Sequence, residues 1–433
     1  MGGGLLQLIA YGAQDAYLSG NPQITFWKGL YKRHTNFAME PFRINFNGQP
    51  NWGTKQTAIV GRHADLLYST YVEVQLPYFS TDGITPADWN YGRNTPEILA
   101  PLGFNLISHV ELDIGGQLID RLYSEYMFLW SYLTSNFTTL SKLDSMLKST
   151  LSGLQLANTT GCGVNGRPSL PNTVYVPLMF FFTKNPGAAL PLIALQYHEV
   201  KINVIWKDPN EIAGNYDNVK NLPQASSAAL YIDYIYLDTE ERRRFAQQSH
   251  EYLIEQVQFN EDVGISSPNQ RIDLTFNHPV KELIWVVQPR SYTDCKAAGK
   301  GLRVPSGPFE KRLLPYVYDQ PAVYEQWIQM NGQDRLERRY GDYFNKVQPF
   351  QHHSGLVPGP GVYMYSFAIK PEENQPSGTC NFSRVDTATI VMTMDGSVDV
   401  NQDTGDTWNV RVYAINYNVL RIMSGMGGLA YSN

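Results

Sequence analysis

The 433-residue chain has little with which to do covalent chemistry. Its cysteines, Cys162, Cys295 and Cys380, are widely spaced. They make neither a disulfide framework nor a C-x-x-C metal pair, and they suit folding in a reducing compartment. Charge is also scarce, at 17% of residues against about 25% in a typical soluble domain. The formal net charge of −6 argues against a broad cationic footprint, so no direct nucleic-acid binding is expected. The longest apolar run, Val174 to Phe182, is interrupted by Pro177 and is far short of a membrane span. The first twenty residues lack a basic start and are broken by Gln7 and Gln14, which makes a poor secretory signal. A soluble product made inside a cell is the expectation.

Several short strings resemble chemical motifs but lack their context. His109-Val110-Glu111 has the H-x-E spacing of metal-dependent cupins, with His198-Glu199 as a further ligand source. On a strand His109 and Glu111 share a face. Val110, Leu112 and Ile114 on the other face read as core, so the pair should lie outside the barrel on a solvated or interface face. Gly161-x-Gly163-x-x-Gly166 spells the dinucleotide fingerprint, but no strand precedes it and no helix can follow it. Asp399, Asn401 and Asp403 begin like a calcium loop; Thr404 stands where the glycine belongs and Val410 where the bidentate Glu belongs. His352-His353 lies between Pro349 and Gly355 without an adjacent acid or cysteine and is expected at the surface. The sequons at Asn136, Asn158 and Asn381 are expected bare. No G-x-S-x-G, H-E-x-x-H or P-loop occurs. No catalytic, metal-binding or cofactor-binding residue is therefore assigned, and no enzyme activity is expected.

What the chain does have is alternation. In TYVEVQL, Val72, Val74 and Leu76 alternate with Glu73 and Gln75, and RIDLTF, HEVKINV and TATIVMTM follow the same scheme. Clusters such as GLVPGPG and NQPSGT separate these runs. Many short strands with Gly/Pro turns predict an antiparallel all-β sandwich or barrel. Aromatics reach 13%, and aromatic wealth with little charge is how large protein–protein interfaces are composed. Helices are predicted only from Ser124, in SEYMFLWSYLTSNF, and in DTEERRRFAQQSHEYLIEQV, where Asp238 or Thr239 can cap and Glu240 and Glu241 suit the first turn. On that second helix Arg242, Arg243 and Arg244 should form a solvated face, or anchor one half of the chain to the other.

The chain also repeats. FRINFN matches EQVQFN at 260 − 47 = 213; VEVQLP matches WVVQP at 289 − 77 = 212; Gly-Gly-Gln and Asn-Gly-Gln match at 332 − 116 = 216. Val174-Tyr175 and Val362-Tyr363 differ by 188, as do Val204 and Met392. The order is the same throughout, with one loop shortened in the second copy. A tandem pair of β-domains follows rather than a solenoid, whose repeats are far shorter. The Gly-Gln strings are then hairpin turns, since both preceding dipeptides accept positive φ.

The stretch GGGLLQLIAYGAQDAYLSGNPQITFWKGLYKRHTNFAMEPF resembles the start of major capsid proteins of nucleocytoplasmic large DNA viruses, such as phycodnaviruses and iridoviruses. LDTEERRRFAQQSHEYLIEQVQ is similar to that family's link between halves. The resemblance implies a tandem double jelly roll, two eight-stranded antiparallel β-sandwiches in one chain. It divides as an N-terminal arm (1–41), a first jelly roll (42–238), a linker helix (239–253) and a second jelly roll with a C-terminal tail (254–433). It implies a structural protein whose homotrimers are pseudo-hexagonal capsomers tiling an icosahedral shell. Assembly would occur in the host cytoplasm, with the protein ending in the virion. Its partners would be neighbouring capsomers, minor capsid and penton proteins, with an internal viral membrane nearby. The expected assembly residues are Asn21, Pro22, Phe26, Lys28, Lys32 and Arg33 in a polar, Gly-rich arm, and Asp238, Arg242, Arg243, Arg244 and Glu255 at the link. A carbohydrate-binding or carbohydrate-active jelly roll is the alternative, because fold alone does not give function.

Overall fold

In the computed structural model, the residues described are 3–76, 97–98, 102–147, 172–208, 213–214, 224–289, 323–356, 361–394 and 407–431. The glycine string at 161–166 and the acidic string at 399–403 lie outside them, as do Asn158, Cys162 and Cys295. The chain divides into Met1–Phe37 and Ala38–Asn433. The first unit has two short helices, Gly3–Ile9 and Ala16–Ser19, and buries none of its described side chains.

The second unit is built from two sets of eight strands among the described residues. The first set is β1 (Phe37–Asn45), β2 (Lys55–Ile59), β3 (Leu66–Leu76), β4 (Ile107–Ile114), β5 (Gln117–Tyr123), β6 (Asn172–Pro177), β7 (Val200–Trp206) and β8 (Ser227–Leu237). The second is β9 (His250–Ile265), β10 (Asn269–Asp273), β11 (Pro279–Pro289), β12 (Val323–Met330), β13 (Gln333–Asp334), β14 (Val362–Ser366), β15 (Ala388–Met394) and β16 (Trp408–Met423). The first set makes the sheets β1-β8-β3-β6 and β2-β7-β4-β5; the second makes β9-β16-β11-β14 and β10-β15-β12-β13. Raising each index by eight converts one pair of sheets into the other. Even a minor strand recurs, Leu190–Pro191 on β3 and Cys380–Asn381 on β11. The protein is a tandem double jelly roll.

Every matched string falls on equivalent strands, but not always on the equivalent face. The turns are in step: Gly115 and Gly116 have φ of 60° and 85°, Asn331 and Gly332 of 50° and 76°. They close Ile114 onto Gln117 and Met330 onto Gln333. On β7 and β15, Ile202 and Val204 point inward, as do Ile390 and Met392, so 188 is correct there. On β3 the inward residues are even-numbered (Val72, Val74, Leu76), whereas on β11 they are odd-numbered (Leu283, Trp285, Val287). The offset of 212 therefore pairs an inward residue with an outward one. The 188 match of β6 with β14 fails in the same way, because Val174 is inward in the first barrel and Tyr363 in the second. So does the 213 match of β1 with β9, which sets inward Ile44 against Val257, a residue that packs on the other barrel. A one-residue slip exchanges the faces of a strand. Two of the three slips lie on strands, β11 and β14, that in the second barrel are buried on both sides. Where both faces are apolar, alternation carries no register.

Ile284, Val286, Val362, Met364, Tyr413 and Ile415 leave the second barrel's own core and join that of the first. Trp285, Tyr363, Val410 and Val412, beside them on the same strands, remain in a core made only of second-half residues. One continuous apolar body thus fills the first barrel and the space between the barrels.

The expected helix from Asp238 is shorter than the sequence suggested. It spans Thr239–Gln247, and the remainder of the string is strand β9. Pairing with β16 from His250↔Ile422 onward gives those residues backbone partners that outweigh their helix propensity. At the other end β1 begins at Phe37, inside the segment expected to be arm. The helix from Ser124 is present, as Ser124–Thr134.

Candidate functional site

The arm residues Asn21, Pro22, Phe26, Lys28, Lys32 and Arg33 are all exposed. The arm is not the polar segment expected. Phe26, Trp27 and Tyr31 are 85%, 94% and 97% exposed, and Leu5, Leu6, Leu8, Ile9, Leu18 and Leu30 are also open. Asp15 orders its centre by accepting from the Gly12 N–H at 2.8 Å.

The link residues divide by role. The Asp238 carboxylate accepts from the Thr239 N–H at 2.8 Å and caps the helix. Of the three arginines, Arg242 reaches the first barrel, with Nε 3.0 Å from buried Asp65. Arg244 donates to Gln248 at 3.3 Å, within its own segment, and Arg243 is exposed. Phe245 packs toward Leu66, Ala189 and Ile235. The helix is therefore fastened to the first barrel by one arginine and one phenylalanine.

Glu255 lies at the seam between the barrels. It pairs with Lys184 of the first barrel at 3.0 Å and with Lys281 of β11. Burial disfavours its charge, but the two ammonium groups overcome that and hold its pKa at about 2. Both ammoniums also lie over the Trp130 ring, at 4.4 and 5.3 Å, so the indole adds attraction to both cations. Lys281 further donates to the Pro371 carbonyl at 2.7 Å. Next to this group, Asp120 of β5 accepts from the Val257 N–H at 3.1 Å. Burial pushes Asp120 up to about 7 despite that bond.

Three further ties cross the seam that sequence reasoning missed. Glu125, in the first turn of the Ser124–Thr134 helix, takes two bonds from the Arg411 guanidinium, both 2.7 Å, and one from the Tyr413 hydroxyl at 2.6 Å. Bidentate pairing of this kind fixes geometry as well as charge. The backbone N–H groups of Gly355 and Leu356 donate to Leu133 and Tyr132 at 2.7 and 2.9 Å. His198 meets Gly427 at 2.9 Å. The available signal was charge inside strands that are otherwise apolar: Lys281 and Glu282 in VKELIWVV, and Arg411 in WNVRVYAI.

His353 corrects an expectation. It is not a surface residue; its side chain is 1% exposed, 2.9 Å from both Glu282 and Glu372, with its ring edge-on to Trp130 at 5.9 Å. Burial opposes its charge, but the two carboxylates raise its pKa to about 9. The acids that hold it come from β11 and from the 372 loop, both distant in sequence. The His109–Glu111 strand face lies outside the barrel, with Val110, Leu112 and Ile114 buried beneath it, but Glu111 is itself only 8% exposed rather than solvated. Glu111 is bound there by Lys55 at 2.7 Å and Arg121 at 2.8 Å. Among the described residues no group of three or more His, Cys, Asp or Glu could hold a metal. Asn136 accepts from the Thr139 N–H at 2.8 Å and Asn381 from the Ser383 N–H at 3.0 Å, so both sequons have structural uses.

Two jelly rolls, joined where the first barrel's core continues into the seam and tied there by buried ion pairs, make a structural protein of the double jelly-roll class. Family models then place it further. "Major capsid protein N-terminus" matches residues 25–238, and "Large eukaryotic DNA virus major capsid protein" matches 241–428. The chain belongs to the major capsid protein family of large eukaryotic DNA viruses. It is 44% identical to the major capsid protein of Pyramimonas orientalis virus and 40% identical to that of Paramecium bursaria Chlorella virus 1, over the full length of each chain. Among solved structures it is similar to a chain of the PBCV-1 virus capsid at 36% identity and a TM-score of 0.70, covering 94% of this chain and 100% of that one. The Faustovirus major capsid protein shares the fold at 13% identity and a TM-score of 0.67, covering 95% and 94%. The protein is a structural component of the virion's capsid, and the carbohydrate reading finds no support in these likenesses.

Proposed function

We propose that the working unit is a closed homotrimer, a capsomer of six barrels with a nearly hexagonal outline, and that such capsomers tile an icosahedral shell. The observation that carries this is the apolar body that continues from the first barrel's core into the seam between the barrels. It fixes the two barrels of one chain side by side, so that each chain supplies a rigid third of a six-barrel ring. A cyclic head-to-tail interface then closes without leaving free edges. In this reading residues 1–41 act as an arm toward neighbouring capsomers and the minor capsid and penton proteins. Residues 42–238 and 254–433 are the two barrels, joined by 239–253. Asn21, Pro22 and Phe26 supply contact surface. Lys28, Lys32 and Arg33 pair with acids on neighbours rather than bind the internal membrane directly. Synthesis and assembly belong to the host cytoplasm, and no catalytic activity is part of the role. Light scattering of the purified full chain tests the unit: three chain masses are expected, and a stable folded monomer at micromolar concentration overturns it.

A further inference from the structure

The tripeptide Asn-Gly-Gln occurs twice among the described residues, at 47–49 and at 331–333, and its two copies have opposite surroundings. A third Asn-Gly pair, Asn165-Gly166, lies outside those residues. Asn-Gly is the dipeptide in which an asparagine most readily modifies itself. The backbone nitrogen of the glycine attacks Cγ of the asparagine and closes a succinimide ring, and glycine has no Cβ to crowd that approach. With Gln49 and Gln333 following, local sequence sets one intrinsic rate for both pairs. What differs is how the fold holds each asparagine side chain.

Asn331 is held. Its Oδ1 accepts from the backbone N–H groups of Asp386 and Thr387 at 2.9 and 3.1 Å, and its own N–H donates to the Thr387 carbonyl at 2.8 Å. Turning its Cγ toward the Gly332 nitrogen breaks the first two bonds. Two hydrogen bonds lost before the ring can close slow the reaction by roughly tenfold to a hundredfold. Asn47 has no such restraint. It lies exposed just beyond β1, where its backbone N–H donates to the Thr57 carbonyl at 3.0 Å. No hydrogen bond engages its side chain among the described residues. Gly48 beside it has a φ of 89°, and a Cβ placed there would meet nothing within 4 Å, so the approach is open. The Gly48 carbonyl accepts from Gln56 Nε2 at 3.4 Å, and buried Gln56 is in turn held by the Trp206 indole N–H at 2.9 Å. The glycine is thus steadied while the Asn47 side chain rotates.

We propose that Asn47 is a self-modification site, at which the folded chain converts asparagine to aspartate and isoaspartate through attack by the Gly48 nitrogen. In the first step the Gly48 N–H proton passes to solvent base, the N–Cγ bond forms and the Cγ–Nδ2 bond breaks. The leaving nitrogen takes a proton from solvent and departs as ammonia. Water then adds to one of the two ring carbonyls. Opening at one restores the ordinary backbone as aspartate; opening at the other routes the backbone through the side chain as isoaspartate. Water is the only co-reactant, and nothing is oxidised or reduced. Each event adds one negative charge, taking the chain from −6 to −6 − 1 = −7. The barrel accommodates it, because the β1–β2 loop is anchored around the site by buried Phe46 and Trp52 and by the Trp52 N–H on Gln224 at 2.7 Å. Since the reaction needs only water and time, the converted fraction records the age of a population of chains.

Peptide mapping by mass spectrometry tests this on the full chain, incubated in mildly alkaline heavy-oxygen water and digested in ordinary water. Label taken up from the solvent marks conversion during incubation and separates it from conversion during digestion. In the folded chain Asn47 is expected to convert at least about tenfold faster than Asn331. In denaturant the two rates are expected to converge, because the bonds that hold Asn331 are gone. Asn47→Gln is expected to abolish labelling at that position with unchanged thermal unfolding. Equal rates in the folded chain overturn the proposal. A gap that persists in denaturant overturns it too, since local sequence rather than the fold would then set the difference. Label appearing as aspartate alone, without isoaspartate, overturns the ring route, because water can open the ring at either carbonyl.

Discussion

Glu125 and Asp342 open the same helix in the two copies of one pattern, Tyr-Ser-Glu-Tyr and Tyr-Gly-Asp-Tyr, yet their surroundings are opposite. Glu125 sits in the seam and binds Arg411 and Tyr413 of the other barrel. Asp342 is about half exposed and meets only Lys346, one turn along its own helix, at 2.8 Å, among the interactions described. Local sequence brings each acid to a helix start, where the helix dipole favours it. What the acid then does depends on whether another barrel stands opposite. The same logic separates Trp130, inserted between Lys184, Lys281 and His353, from Val347, which is open. Near-equivalent positions have been divided between holding the chain together and remaining available.

Three experiments would break or sharpen that contrast. The largest effect is expected for Trp130→Ala, at about 3–5 kcal/mol of unfolding free energy, because a buried indole leaves a cavity. Val347→Ala should cost less than about 1 kcal/mol, as exposed positions do. Denaturant unfolding of both variants compares them; equal losses would mean that the seam does not carry the fold. Glu125→Ala should follow, at about 3 kcal/mol, since it strands the Arg411 guanidinium in a nearly dry site. Asp342→Ala should lie within about 0.5 kcal/mol, the scale of an exposed pair one turn apart. A small Glu125 loss would show that Arg411 finds water instead.

The third experiment is a pH dependence at the same seam. His353 has a folded pKa of about 9 against an ordinary value near 6.5. Its protonated form is therefore favoured by folding, through Glu282 and Glu372. That contribution is complete below about pH 6.5 and is lost as pH rises through about 9, for at most about 3 kcal/mol. Melting temperature should accordingly decline over that window in the unmodified chain, and less steeply in His353→Gln. An equally steep decline in the variant would assign the titration to another group.

The sequence by itself determined the repeat, the all-β class and the turns. Each rests on short-range physics: alternation for strands, and left-handed dipeptides such as Gly115-Gly116 and Asn331-Gly332 for hairpins. It also placed Glu255 at the link without revealing that two lysines would meet there. Tertiary structure alone decided which face of β3 corresponds to which face of β11, because β11 is apolar on both sides and alternation has nothing to report. It decided that His353 is buried between acids, because Glu282 and Glu372 reach it from other parts of the chain. It decided the fate of the shared helix motif as well. The residues that begin such a helix are local, but the barrel that covers it, or leaves it open, is drawn from the other end of the chain.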